Sequence, residues 1–190
     1  TDKTNENGVT LNGVDDLHPM LHINKSDLDG IKFHSNFSGN ETFLKDHLVN
    51  SEKLFPGVAY IELARKALEE VTHQEVLQLK EITWLKPLKV EDKSTEVTTL
   101  VTKDKNEILV QISSIAEGKS ITHAEIKLGR EDLKQGSRYD ISVLKERMQG
   151  EKEGEACYEA FKTVGLEYGD SFQGIKKMYF NENESLVSID

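Results

Sequence analysis

His47 is the residue whose surroundings in the sequence point most directly to chemistry. It lies near the end of an extended segment, Glu41 to Val49, and nine residues ahead of Pro56, where the clearest helix of the chain begins. Histidine is well suited to act as a general base near neutral pH. The first N–H groups of a helix, here those of Gly57 and Val58, lack partners within the helix and can stabilise a negative oxygen. A base beside such a helix end can remove a proton next to a carbonyl group, although a purely structural histidine fits the same spacing.

Few other residues of the sequence suggest a site. The remaining histidines lack the spacing of metal ligands: His18, His22, His34, His73 and His123. No C-x-x-C, G-x-G-x-x-G or G-x-x-x-x-G-K-[ST] motif occurs, so we expect neither a metal site nor a nucleotide loop. Cys157 is the single cysteine and is expected to be an ordinary half-buried thiol. Asp46 directly precedes His47 on the same extended segment. Its side chain is therefore expected to point to the opposite face of the strand, into solvent.

Composition narrows the class of protein. The 190 residues carry 24 basic and 34 acidic side chains, a net charge of −10. Without a cluster of Lys and Arg, this acidic balance weighs against nucleic-acid binding. No stretch approaches the roughly 18 apolar residues of a membrane span. A polar start without the apolar core of a signal peptide, together with one cysteine, indicates a cytoplasmic protein.

The hydrophobic pattern predicts one sheet folded around one helix, an α+β architecture. Residues 31–37 alternate and are expected to form a hairpin with 41–49, turning at Gly39-Asn40. Pro56 opens a mostly buried helix that runs to about Val71. Extended segments follow at 76–90, 96–103, 107–115 and 120–128, with Thr122, Ala124, Ile126 and Leu128 on one face of the last. Trp84 is expected to pack on this sheet.

The chain is expected to contain two units of unequal extent. Residues 1–17 form a flexible leader, 18–129 the first unit, 130–154 a linker with a short helix over 141–148, and 155–190 the beginning of a second unit. In that second unit, 155–164 is predicted to be helical, and 172–180 and 185–189 are predicted strands. Because the pattern ends early in the second unit, the sequence is expected to be a piece of a longer protein.

The segment Phe43 to Ala64 resembles the active-site segment of polyketide synthase dehydratase domains. That family carries H-x-x-x-G-x-x-x-x-P ahead of the central helix of a hot-dog fold; His47 and Pro56 match it, and Ser51 takes the glycine position. His18-Pro19-Met20-Leu21 is similar to the family's His-Pro-x-Leu. The run from Gly165 to Phe172 is similar to its Gly-Leu-x-Tyr-Gly-x-x-Phe, with Asp170 where proline is common. The segment looks most like domains of bacterial modular synthases, including those served by separate acyltransferases (the trans-acyltransferase type).

The resemblance implies a double hot-dog, in which antiparallel sheets wrap two central helices, with the first hot-dog at 18–129 and the start of the second at 155–190. It implies dehydration of a β-hydroxyacyl thioester to the α,β-unsaturated thioester during polyketide synthesis. The substrate is held on the phosphopantetheine of an acyl carrier protein, and no metal or directly bound cofactor is needed. Other synthase domains and a second copy of the chain are the remaining partners.

The same resemblance assigns roles to seven residues. His47 would be the general base, and Tyr168 would donate a hydrogen bond to the substrate or to the acid. The residues expected to contact the substrate are Pro56, Gly57, Val58, Gly169 and Phe172. Leu44, Leu54 and Phe55 are expected to form an apolar pocket around the imidazole.

Two features leave alternatives open. The family's catalytic Asp lies in a D-x-x-x-[QH] motif, and no such motif follows Tyr168 in this sequence. A double-bond-shifting isomerase, a pyran-forming cyclase and a non-catalytic structural or docking domain would share the residues seen here. Ser51 fits poorly where the backbone needs a positive φ, so the loop is expected to be reshaped unless Asn50 takes that conformation.

Overall fold

A six-stranded antiparallel sheet forms the larger part of the protein. The structure, a computed structural model, describes residues 17–28, 30–76, 78–91, 93–105, 107–129 and 136–190. The sheet has the order β1-β2-β6-β7-β8-β5. Its strands are β1 (Ile23–Asn24), β2 (Ile31–Phe37), β5 (Leu79–Trp84), β6 (Thr95–Asp104), β7 (Glu107–Ala116) and β8 (Lys119–Leu128). The predicted segments 96–103, 107–115 and 120–128 are therefore confirmed to within one residue at each end, whereas β5 covers only Leu79–Trp84 of the predicted 76–90.

Helix α2 (Gly57–Thr72) packs against one face of this sheet, as predicted. Pro56 is its N-cap residue, with extended backbone, so the helix begins one residue after the proline. Its buried side chains contact β6, β7 and β8: Ala59, Tyr60, Leu63, Ala64, Ala67 and Leu68. On the outer face Arg65 pairs with Glu62 and Glu69 at the i,i+3 and i,i+4 spacings that bring helical side chains together. Packing against the sheet fixes the position of the N-terminus of α2, which borders the candidate site.

Two β-bulges interrupt the alternation of the sheet. Between Lys80 and Thr83, β5 carries one more residue than its partner β8, and Glu81 there has φ 49°. In β8 the extra residue is His123, which is buried next to the buried Ala124. A bulge re-aims the side chains that follow it. Thr122 is consequently only half-buried, and the predicted inward face of β8 is wrong at this one position.

The second part of the chain forms a smaller layer. It contains α3 (Ile141–Glu146), β9 (Gly150–Glu153), α4 (Gly154–Thr163), β11 (Ile175–Phe180) and β12 (Ser185–Ile189). The strands form a sheet of order β12-β11-β9, on which α4 packs. A third small sheet, of order β10-β3-β4, contains β3 (His47–Val49), β4 (Glu52–Lys53) and β10 (Leu166–Tyr168). This sheet joins the two parts of the chain.

The predicted hairpin of 31–37 with 41–49 is wrong. Both edges of β2 are occupied, by β1 and β6, so no further strand can pair with it. The Ser38 N–H and hydroxyl groups donate to the Glu41 carboxylate at 2.8 and 3.1 Å, which turns the chain into the short helix α1 (Thr42–Lys45). Leu44 on α1 is fully buried. His47 therefore begins a strand of a different sheet.

The segment interpreted as a linker contains a strand. Gly150–Glu153 pairs with β11, and the short predicted helix is present as α3. Residues 130–135 of that segment, and residues 1–16 of the predicted leader, lie outside the described residues. The unit boundaries themselves remain predictions. Among the described helices, none has the length and apolar character needed to cross a membrane.

Candidate active site

The imidazole of His47 is held in one tautomer by the backbone. His47 is the first residue of β3, directly after α1, and its Nδ1 lies 3.1 Å from the carbonyl oxygen of Leu54. A carbonyl oxygen only accepts hydrogen bonds, so Nδ1 carries the proton. Nε2 is then left with a lone pair. The ring is arranged to accept a proton at Nε2, which is the requirement for a general base.

The start of helix α2 lies beside this ring. Pro56, Gly57 and Val58 border the same cavity as His47. The Pro56 side chain makes no capping hydrogen bond, and the Ala59 N–H donates to the Pro56 carbonyl oxygen at 2.9 Å. The N–H groups of Gly57 and Val58 precede this bond and have no acceptor within the helix. They are suited to stabilise a developing negative charge on an oxygen.

Two aromatic residues from the second part of the chain face His47. Tyr168 on β10 is its partner across the ladder with β3, with ring centroids 5.6 Å apart. Phe172 follows in a short 3₁₀ turn, Asp170–Phe172, with its ring 5.5 Å from the imidazole. The Tyr168 and Phe172 rings stack at 5.9 Å. His47 thus comes from one part of the chain and its aromatic surroundings from the other.

A cavity of about 550 Å³ opens at this junction. Its lining is largely apolar and aromatic: His47, Pro56, Gly57, Val58, Ile61, Trp84, Tyr158, Phe161, Tyr168, Phe172, Gly174, Ile175 and Ile189. Six of the seven residues singled out by the sequence are therefore brought together. The seventh, Gly169, lies next to Asp46 and is not among the residues that line the cavity.

The apolar pocket predicted from Leu44, Leu54 and Phe55 is wrong. Leu44 and Phe55 are buried in the core of the six-stranded sheet, and Leu54 contributes its carbonyl oxygen to His47. Trp84 was also expected to pack on the sheet, yet its side chain is half exposed at the cavity. Its indole N–H donates to the Gly57 carbonyl oxygen at 3.1 Å. The indole therefore closes one side of the cavity.

Asp46 is half-buried and links the two parts of the chain through hydrogen bonds. Its carbonyl oxygen accepts from the Gly169 N–H at 2.9 Å, and its carboxylate accepts from the Ser171 N–H at 3.0 Å. The hydrogen bonds from Ser171 hold the pKa of this carboxyl below its usual value. A Cβ atom at Gly169 would collide with the Asp46 carboxyl group. Gly169 thus allows the turn that carries Phe172 to approach α1.

The hairpin between β3 and β4 resolves the question of Ser51. Asn50 and Ser51 both have positive φ, 50° and 62°. Two such residues between paired strands form the type I′ turn that suits a short hairpin. The Asn50 N–H donates to the Gly165 carbonyl oxygen at 2.7 Å, and the Ser51 hydroxyl to the Glu167 carboxylate at 3.1 Å. Both Asn50 and Ser51 therefore take the positive φ that the sequence left open between them.

A family model described as the polyketide synthase dehydratase domain matches residues 18–115, and one described as the polyketide synthase dehydratase N-terminal domain matches residues 138–190. The chain belongs to the polyketide synthase dehydratase family.

This dehydratase-family chain is similar in sequence to bacterial polyketide synthases and in fold to solved dehydratase domains. It is 35% identical over 190 residues to polyketide synthase PksM of Bacillus subtilis, covering 95% of this chain and 4% of PksM. A trans-AT polyketide synthase dehydratase domain from Brevibacillus brevis is 34% identical with a TM-score of 0.84, covering 92% of this chain and 64% of that one. The dehydratase domain of RzxB from Pseudomonas fluorescens is 26% identical with a TM-score of 0.80, covering 92% and 65%. The predicted hot-dog fold and the likeness to the trans-acyltransferase type are confirmed, and the chain spans about two thirds of the solved domains.

Tyr158, which lines the cavity of this dehydratase-family chain from within the second part of the chain, was not identified from the sequence. Its hydroxyl donates to the Phe172 carbonyl oxygen at 3.2 Å and accepts from the Ile175 N–H at 2.8 Å. The side chain is buried on α4. It thereby holds the 3₁₀ turn and the start of β11 in register. No local pattern in the sequence singles out this residue, because its partners are backbone groups of a later turn and strand.

Proposed function

We propose that this chain removes water from a β-hydroxyacyl thioester carried on an acyl carrier protein, with His47 as the general base. The observation that carries the proposal is the 3.1 Å contact between His47 Nδ1 and the Leu54 carbonyl oxygen. It leaves Nε2 as the basic nitrogen of a ring that borders the cavity. Membership in the dehydratase family supports the same reaction.

In the proposed step, the thioester carbonyl lies at the start of α2. Nε2 of His47 takes the α-proton, and the electrons of that C–H bond form the α,β double bond. The bond between the β carbon and its hydroxyl oxygen breaks, and the hydroxyl leaves with a proton as water. Negative charge that develops on the thioester oxygen is stabilised by the N–H groups of Gly57 and Val58.

The proton for the leaving hydroxyl would come from an acid in the remaining third of the family's domain, because this chain spans about two thirds of the solved domains. In the family this acid is an Asp of a D-x-x-x-[QH] motif, which does not follow Tyr168 in this sequence. Asp46 is unsuitable, because its carboxylate accepts from the Ser171 N–H. Tyr168 stands opposite His47 and would donate a hydrogen bond to the β-hydroxyl or to that acid.

The proposed partners follow from this substrate. The acyl group would arrive on the phosphopantetheine arm of a carrier protein, and the remaining domains of a polyketide synthase would supply it and consume the product. The reaction would take place in the cytoplasm and needs no resident cofactor. A homodimer is the proposed assembly, and sedimentation over a range of concentrations tests it.

The experiment is intact-mass analysis of a β-hydroxybutyryl carrier protein incubated with the complete dehydratase domain that contains this chain, so that the acid is present. We expect loss of one water with the parent and no loss with His47→Ala. His34→Ala is the matched control, since His34 is half-buried on β2 and faces Glu96 at 3.5 Å, outside the residues that line the cavity. Equal water loss by the parent and His47→Ala would overturn the role of His47.

A second arm separates the alternatives. The α,β-unsaturated carrier-bound thioester is supplied in deuterated water, and deuterium incorporation is followed by mass. Exchange that depends on His47 without water loss would favour the isomerase. With an enoyl substrate that carries a hydroxyl group further along its acyl chain, ring closure with uptake of one deuteron at the α carbon would favour the cyclase. If neither water loss nor deuterium exchange is observed, catalysis by this chain is overturned and the structural or docking role is left.

A further inference from the structure

Two neighbouring cavities share a wall at Trp84. The larger cavity is the one that contains His47, and the smaller has a volume of about 260 Å³. The smaller is lined by Phe55, Gly57, Tyr60, Trp84, Leu85, Lys86 and Pro87. Trp84 and Gly57 are the two residues that border both. The indole ring pressed against the Gly57 backbone therefore separates them.

The wall is held from both sides. The indole N–H donates to the Gly57 carbonyl oxygen at 3.1 Å, and a Cβ atom at Gly57 would already lie 3.4 Å from the indole nitrogen. The bulge around Glu81 sets the direction of Trp84, which pairs with Ala124 of β8. Directly after it, the Leu85 N–H donates to the His123 carbonyl oxygen at 2.8 Å. The ring thus sits on a fixed strand end.

We propose that Trp84 sets the length of acyl chain that the active-site cavity accepts, by closing it off from the smaller cavity. This inference rests on the proposed function, which makes an acyl thioester the occupant. The acyl chain is the fitting occupant of the smaller cavity because that cavity continues the larger one at the Trp84–Gly57 contact. Aromatic and aliphatic side chains (Phe55, Tyr60, Leu85) supply apolar contacts there.

The expected effect is a change in how binding affinity rises with the length of the acyl chain. Each methylene moved from water into an apolar site raises affinity about fourfold. In the parent, affinity should rise with chain length and then stop where the chain reaches the indole. In Trp84→Ala, the rise should continue over several further methylenes.

The test uses saturated acyl-N-acetylcysteamine thioesters, from butyryl to dodecanoyl, which cannot lose water. Binding is measured by calorimetry to the full chain. Trp84→Phe keeps a smaller ring in the wall without the N–H donor and should lengthen the cutoff by fewer methylenes than Trp84→Ala. Leu85→Ala changes only the smaller cavity and should retain the parent cutoff. Trp84→Leu opens the wall less and serves if Trp84→Ala does not fold, as judged by thermal unfolding.

The outcomes separate this inference from the proposed function. Trp84 is the single tryptophan, so quenching of its fluorescence by the longest ligands that the parent binds would support contact at the wall. An identical length cutoff in the parent, Trp84→Ala and Trp84→Leu would overturn the inference, as would absence of binding. If the length cutoff shifts while no carrier-bound substrate loses water, the inference stands as a binding property and the dehydration proposal fails.

Discussion

His47 and Tyr168 are directly opposed partners in the antiparallel ladder between β3 and β10, with ring centroids 5.6 Å apart. This ladder pairs two strands that are far apart in sequence, one from each part of the chain. The backbone hydrogen bonds of the ladder hold the tyrosine ring beside the imidazole, and a substitution of either side chain leaves these bonds in place. The role of the Tyr168 hydroxyl can therefore be tested without displacing the ring.

Tyr168→Phe keeps the stacking with Phe172 and removes the hydroxyl. A hydrogen bond to a charged group contributes about 1.5–3 kcal/mol, so we expect kcat to fall about tenfold or more. Single-turnover dehydration of the carrier-bound substrate measures this. Tyr179→Phe, on β11, is the matched control and should leave kcat unchanged. An unchanged kcat in Tyr168→Phe would assign this tyrosine a packing role alone.

Gly57→Ala should separate stability from activity. Alanine is favoured over glycine within a helix by about 1 kcal/mol, so the thermal midpoint should hold or rise. The new methyl group would stand 3.4 Å from the Trp84 indole nitrogen, inside the cavity and beside the N–H groups that face the substrate. We expect kcat/KM to fall while the protein remains folded. A lower midpoint with unchanged kcat/KM would contradict this arrangement.

Asp46→Ala should weaken substrate binding more than turnover. It removes the acceptor of the Ser171 N–H and frees the turn that carries Phe172. The steady-state parameters would show a raised KM with a smaller change in kcat. Asp170→Asn changes a neighbouring acid on the same turn and should behave as the parent. Because the pKa of Asp46 is lowered by Ser171, its contribution to stability is present at neutral pH and is lost as the pH falls below about 4.

Ser51→Gly and Ser51→Ala form a pair that isolates backbone conformation, since both lose the hydroxyl contact with Glu167. At φ 62° a side chain costs about 1–2 kcal/mol, partly offset by the greater freedom of glycine in the unfolded chain. We expect the free energy of unfolding of Ser51→Gly to exceed that of Ser51→Ala by about 1 kcal/mol. Urea unfolding measures the difference. At Glu52, on the adjoining strand, the same pair should reverse its order.

Mild acid should destabilise the fold through His123. Its Nδ1 lies 3.0 Å from the Lys86 carbonyl oxygen and its Nε2 lies 2.8 Å from the Ser114 hydroxyl, and burial lowers its pKa. Below pH 6.5 the unfolded chain binds a proton that the folded chain resists, so stability falls as the pH falls, by at most about 1.4 kcal/mol per pH unit. Urea unfolding between neutral pH and pH 5 should show a weaker pH dependence in His123→Gln.

His18 provides the control for that experiment, because burial lowers its pKa in the same direction. His18→Gln should remove only its own share of the pH dependence. If the slopes of the parent and His123→Gln coincide, the buried imidazole of His123 is not the group responsible.

The sequence predicted the elements that local patterns encode. Alternation located β2, β6, β7 and β8, Pro56 marked the start of α2, and the His47 motif located one side of the cavity. The misses have a common cause, which is that each depends on a remote partner. The bulge at Glu81 turned Trp84 toward the cavity, and Tyr158 became a cavity residue through backbone groups of Phe172 and Ile175. The failed hairpin reflects the occupied edges of β2, which no local pattern reveals.

The β3–β10 ladder also sets an order of events in folding. Strands β6, β7 and β8 are neighbours in sequence and can pair early, whereas the Ser51–Glu167 contact beside the ladder joins residues 116 positions apart. Contacts across long loops form slowly because the chain must first lose the entropy of closing them. We therefore expect the sheet around α2 to form before the base is enclosed. During synthesis on a ribosome, the surroundings of His47 would stay incomplete until β10 had emerged. The site would therefore become ordered after the sheet around α2.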